Sequence, residues 1–200
     1  MPAPTSWWED LYRTRDVSDL PWYTPALDVD LGAALATHAK PGSRILDLGT
    51  GPGTQAIGLA KRGYDVVATD IAPSAVRNAA HAARREGVRI DFRVDNILDS
   101  HLEDALVDAI VDRGVFHAMP PESRPRYVAR VARILRPRGY LFLKAFSDQE
   151  PRQDGPYHFS PEELRSCFQE SFEVLSIQDA IFHGTLEESP KALIAVFRRR

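Results

Sequence analysis

The stretch Ile45-Leu46-Asp47-Leu48-Gly49-Thr50-Gly51-Pro52-Gly53-Thr54 runs from an apolar strand into a glycine-rich turn, then into a helical segment of small and apolar residues ending at Lys61. Glycines in such a turn take positive φ and let the backbone approach a ligand closely. A second apolar run, residues 64–69, leads to Asp70, twenty-one residues beyond Gly49. A doubly wound fold places its ribose-binding carboxylate at about that separation. Turn and acid together read as a nucleoside site. The plainer alternative is a tight turn, with Asp70 capping the helix behind Pro73. Nicotinamide-binding turns follow G-x-G-x-x-G, but the sixth position here is Thr54 and the third glycine falls one residue early, at Gly53. No Gly-Lys-Ser/Thr follows the turn, which removes the nucleoside triphosphatase reading.

Outward from this centre, short apolar runs alternate with helical patterns. Residues 45–48, 64–69, 88–94, 106–111 and 140–143 have the length and the β-branched or aromatic content of buried strands. Residues 74–85 are Ala-rich after Pro73, and 126–135 repeat apolar residues at helical spacing. Strand, helix, strand implies parallel pairing through right-handed crossovers. Ahead of the first strand, residues 7–12 suit a short amphipathic helix. Thr24-Pro25, a cap and a first-turn proline, then predicts a helix to about Ala39. Ser160-Pro161-Glu162-Glu163 is a capping box for a helix to about Gln169. Residues 172–177 and 192–197 follow without a helix between them, so they pair antiparallel. The expected fold is α/β: a doubly wound, mostly parallel seven-stranded sheet with an antiparallel C-terminal hairpin strand. It is expected as one domain, 1–200, comprising an N-terminal helical lid (1–40), a cofactor-binding core (43–147) and a C-terminal helix and hairpin (148–200).

Two hundred residues, 44% of them hydrophobic, suffice for one sizeable core. The 25 basic and 28 acidic residues nearly cancel, so no polyanion partner is expected. Arg126, Arg130 and Arg133 form a solvated helical face rather than an RNA track. No apolar run nears the roughly 20 residues needed to cross a bilayer, so no membrane partner is expected either. Cys167 is the one cysteine, and residues 1–12 lack a basic stretch followed by an apolar one; a cytoplasmic location is the expectation. His38, His81, His101 and His183 stand singly and suggest no metal site.

Taken together, these features resemble the class I S-adenosylmethionine-dependent methyltransferases, whose first motif is a hydrophobic strand, an acid, then G-x-G-x-G. Asp47, Gly49, Gly51 and Gly53 fit it without a gap, with Thr50 inside the turn. The resemblance implies S-adenosylmethionine as cofactor and S-adenosylhomocysteine as product. It puts the ribose hydroxyls on Asp70 with Ile71 beside the adenine, the adenine amino group near Asp95 with Asn96 and Ile97 adjacent, and the methionine moiety near Asp112. Val107-Asp108-Ala109-Ile110 matches the opening of the family's fourth strand, and Leu135-Arg136-Pro137-Arg138-Gly139 the turn before its fifth. The chemistry agrees: this cofactor carries a positive sulfonium and no phosphate, so its site needs acids rather than a lysine.

Three clusters stand where an acceptor would be met. The first is aromatic: Trp7, Trp8, Tyr12, Trp22 and Tyr23, of which Trp8, Trp22 and Tyr23 are expected to line the substrate or, alternatively, to pin the segment to the core. The second is Asp112-Arg113-Gly114-Val115-Phe116-His117, where Arg113 and His117 would orient the acceptor or take its proton. The third is the loop after the fifth strand, with Asp148, Arg152 and His158. The Trp-rich start, Trp22-Tyr23-Thr24-Pro25-Ala26-Leu27 and the Asp-Arg-Gly ending the fourth strand are similar to thiopurine and thiol methyltransferases, and the overall layout to tellurite-resistance methyltransferases. That resemblance implies a small, soft acceptor, a thiol above all. A thiol with a pKa near about 8.5 is partly ionised at neutral pH and needs no base, whereas an O-methyltransferase would use His117 or His158 as one. A non-catalytic S-adenosylmethionine sensor or partner subunit is the remaining alternative. The expected partner is a small molecule, and the chain a monomer or homodimer.

Overall fold

A computed structural model describes residues 5–152 and 155–200. Positions 1–4 of the expected lid and 153–154 of the loop after the fifth strand lie outside the described residues. One mixed sheet runs in the order β3-β2-β1-β4-β5-β8-β7, from β1 (Arg44–Leu48), β2 (Asp65–Asp70), β3 (Asp91–Val94), β4 (Val107–Arg113), β5 (Leu135–Ser147), β7 (Phe172–Ile181) and β8 (Lys191–Arg199). β1 to β5 pair in parallel, and β8 is antiparallel to both β5 and β7. A short β6 (His158–Phe159) adds to the end of β5 at Phe146 and Ser147. The carboxyl ends of β1, β2, β4, β5 and β7 therefore face one edge, where a doubly wound sheet places its ligands.

Alternation along the buried strands sends side chains into two cores. On one face Leu31, Leu35, Ile45, Ala56, Leu59 and Phe142 pack under α2 (Val29–His38) and α3 (Thr54–Lys61). On the other, Leu46, Ile110, Phe116, Tyr127, Val131 and Phe168 pack under α5 (Arg124–Ile134) and α6 (Pro161–Phe168). The helix α4 (Pro73–Arg85) makes the crossover from β2 to β3. A third, smaller cluster joins α1 (Thr5–Thr14) to the start of α4 through Tyr12, Leu20, Ala72 and Ala75. Among the described residues no helix is long and apolar enough to cross a membrane.

Several boundaries differ from the sequence reading, each for a local reason. α2 starts after Asp28 rather than Thr24, because the Asp28 carboxylate accepts from the N–H groups of Asp30 and Leu31. Residues 20–28 remain a strap. β3 starts at Asp91 rather than 88, since the Val88 N–H closes the end of α4 on the Ala83 carbonyl behind Gly87 at φ +69°. The turn read at 135–139 lies within β5, whose register with β4 jumps from Val107↔Leu135 to Ala109↔Tyr140. The capping box at Ser160 and Glu163 forms as expected.

Candidate functional site

β1 ends at the carboxyl edge, and Gly49, Gly51 and Gly53 turn the chain there at φ +71°, +49° and +82°. Space is as demanding as torsion: a Cβ on Gly49 would stand 2.2 Å from Val115 Cγ2, and one on Gly53 2.7 Å from Ala79 Cβ. Asp47 fastens the turn from beneath. Its Oδ2 accepts from Thr50 Oγ1 at 2.6 Å and from the Ala56 N–H at 3.1 Å. Burial pushes this carboxyl up to about 6. The Thr50 N–H donates to the Thr69 carbonyl at 2.8 Å, which ties the turn to β2.

Beside the turn, Asp70 accepts from the Gly51 N–H and the Ala72 N–H, both at 2.9 Å. Burial holds its carboxyl above the usual range. At the end of the neighbouring strand, Asp95 donates its N–H to the Asp70 carbonyl at 3.0 Å and accepts the His101 N–H on Oδ1 at 3.0 Å. Its other oxygen, Oδ2, is buried with no hydrogen-bond partner among the described residues. An unmet buried acceptor costs about 1–3 kcal/mol, more when charged, and an exocyclic amino group such as adenine's would supply the missing donor. By this test the residues fit an adenosyl cofactor. Asn96 Oδ1 caps its own 3-10 turn at Leu98 N, Ile97 is buried in the core, and Ile71 is half-buried next to Asp70.

α1 lies over this half of the edge. The Tyr12 hydroxyl stands 2.6 Å from where a Gly51 Cβ would be, and Trp8 stacks on Tyr12 and meets Trp22 edge-on at 5.9 Å between ring centroids. Glu9 accepts from the Ser74 N–H at 2.8 Å and Oγ at 2.6 Å. It thereby caps α4, whose own N-cap, Ala72, has no side-chain oxygen. Tyr23 packs against the same cluster as Trp8 and Trp22 and also lines a cavity of about 460 Å³ with Pro25, Ile57 and Lys61.

At the end of β4 the polar groups are engaged with one another. Asp112 accepts from the N–H groups of Gly114, Val115 and Phe116 and from the Tyr127 hydroxyl. Its carboxyl, pushed up to about 6 by burial, is saturated by its own loop together with Tyr127 of α5. Arg113 donates to Asp28 Oδ2 at 2.9 Å, to the Trp22 carbonyl at 3.0 Å and to the His183 carbonyl. Lys144, wholly buried on β5, bonds both oxygens of Asp28 at 2.8 and 2.9 Å and Asp30 Oδ2 at 2.7 Å. These two cations hold the Asp28 carboxyl below its usual range despite burial. His117 accepts the Phe146 N–H on Nδ1 at 3.2 Å and packs against Phe146 and Phe182.

Residues 45–139 match the methyltransferase domain family. This segment is a methyltransferase domain. Over 149 residues it is 32% identical to the 2-heptyl-1-hydroxyquinolin-4(1H)-one methyltransferase of Mycobacteroides abscessus, a match covering 73% of this chain and 66% of that protein. A 59-residue stretch is 46% identical to the ribosomal protein L11 methyltransferase of Thermus thermophilus, covering 30% of this chain and 23% of that one. This chain thus spans at most 66% of the length of these curated relatives. A solved structure described as the conversion of a disulfide bond into a thioacetal group during echinomycin biosynthesis superposes at TM-score 0.85, with 25% identity over 98% of this chain and 92% of that chain.

Within this methyltransferase domain the turn glycines, Asp70 and Asp95 gather at one side of the edge, with Trp8 and Trp22 near them. Arg113 and His117 stand at the other, where His158 meets Phe146 edge-on at 5.5 Å. Asp148 is exposed at the start of its loop and is not drawn into either group. Sequence reasoning missed Lys144, Asp28 and Phe182. A lysine inside the apolar run 141–146 was the available signal, because a buried ammonium demands carboxylate partners.

Proposed function

We propose that this chain transfers the methyl group of S-adenosylmethionine to a small-molecule acceptor, at sulfur or another soft atom. The orphaned Oδ2 of Asp95, set beside Asp70 and the glycine turn, is the observation that carries the cofactor half of this reading. Asp70 would hold the ribose hydroxyls, Asp95 the adenine amino group, and the turn at Gly49 and Gly51 the methionine end. Bound there, the cofactor supplies an already activated methyl group on a sulfonium sulfur. The protein then needs mainly to align the reactants, which is worth roughly 7–11 kcal/mol.

A small acceptor is supported by the enclosure of the edge. The strap meets the loop after β7 where Thr185 bonds the Leu20 and Pro21 carbonyls, and Gln55 of α3 holds the Asp28 N–H at 2.8 Å. Softness is supported by the engaged state of Asp112, Asp28 and His117 Nδ1, and by a likeness to a structure described for sulfur chemistry. An oxygen acceptor is the second reading, favoured by the relative named for a 1-hydroxyquinolinone. A panel of thiols and phenols, read by S-adenosylhomocysteine formation, decides between them. Product from thiols is expected; product from phenols alone would end the sulfur reading.

A further inference from the structure

His117 lies on the 3-10 turn Phe116–Ala118 after β4, and its two ring nitrogens differ. Nδ1 is occupied by the Phe146 N–H, so the ring proton belongs on Nε2. Nε2 faces Gly114, whose φ is +118° and whose Cβ, had it one, would stand 3.0 Å from that nitrogen. Phe146 and Phe182 wall the ring at 4.8 and 5.4 Å between centroids. The titratable and charged groups turned toward it are His158 from β6 and Arg113 from β4. Burial first, then these two, push the imidazole down to about 3. On this side of the edge Asp112 is saturated, and Asp28 and Asp30 are bound by Lys144 and Arg113.

We propose that the acceptor reaches this site already ionised, as a thiolate or the anion of a comparably acidic N–OH or heteroaryl group, and that His117 orients it by donating Nε2–H. The proposal rests on the methyl-transfer reading. The anion's lone pair forms the bond to the methyl carbon while the carbon–sulfur bond breaks toward sulfur. One negative and one positive charge cancel, and no proton is passed to the protein.

Two measurements test it. Nitrogen-15 NMR of the cofactor-free chain should show His117 neutral and Nε2-protonated from about pH 5 to 9. With 4-nitrothiophenol, thiophenol and benzyl mercaptan, kcat/KM should rise with pH up to a break that follows each thiol's own pKa. His117→Leu should lower kcat/KM about 10- to 100-fold, the range of a hydrogen bond to a charged group, with His117→Gln recovering part of it. A His117 that titrates in that range, an Nδ1-protonated ring, or a break fixed at one pH for every thiol and lost in His158→Gln would overturn the proposal. Cofactor binding by calorimetry with no product from any thiol would instead overturn methyl transfer, and this inference with it.

Discussion

The two halves of the carboxyl edge treat their charged groups in opposite ways. Beside the glycine turn, Asp95 keeps a buried oxygen without a donor among the described residues, where Asp70 uses backbone N–H groups. Across the edge, Arg113, Lys144, Asp28 and Asp112 are bonded to one another, to backbone or to Tyr127. The first arrangement leaves binding capacity for a ligand; the second closes a scaffold around one. Residue type alone does not separate them, since both halves are rich in acids. Unmet hydrogen-bonding capacity does.

The contrast can be broken most severely at Lys144. Lys144→Met leaves Asp30 without its cation and Asp28 with Arg113 only, so denaturant unfolding should show a loss of about 3–5 kcal/mol. A loss below about 1 kcal/mol would mean the network does not hold the scaffold. Next is Asp47. Its folded pKa of about 6 lies above the ordinary aspartate value of 3.8, so the folded chain binds the extra proton and Asp47 costs stability as pH rises through about 6. Asp47→Asn should therefore remove about 2–3 kcal/mol of the stability lost between about pH 4 and 7.5, as two pKa units imply. An unchanged slope would contradict this placement. The smallest effect is at Asp95, where Asn keeps an acceptor for the His101 N–H but turns an amino group toward the adenine. Calorimetry should show about tenfold weaker binding of S-adenosylhomocysteine, and no change would remove Asp95 from the site.

Much of the glycine-turn half was legible because its elements are local: a strand, a glycine turn and an acid at fixed spacing. The five parallel strands, the capping box at Ser160 and the final antiparallel strand followed from apolar period and turn chemistry in the same way. What escaped was set by distant partners. Thr24-Pro25 looked like a helix start, yet Asp28 caps α2 where Gln55, Arg113 and Lys144 converge on it. Arg113 stood out in the sequence as a candidate, but its bonds to the Trp22 and His183 carbonyls did not. Phe182 carried no motif, and only the pairing of β7 with β8 brings it to His117.

Asp70 and the glycine turn together make up the proposed cofactor site. Isothermal titration of S-adenosylmethionine into the wild-type chain and Asp70→Ala, with folding of both checked by circular dichroism, tests it most directly. Binding by the wild type, about 100-fold weaker in the variant, is the predicted result; equal affinity in two folded proteins would contradict it.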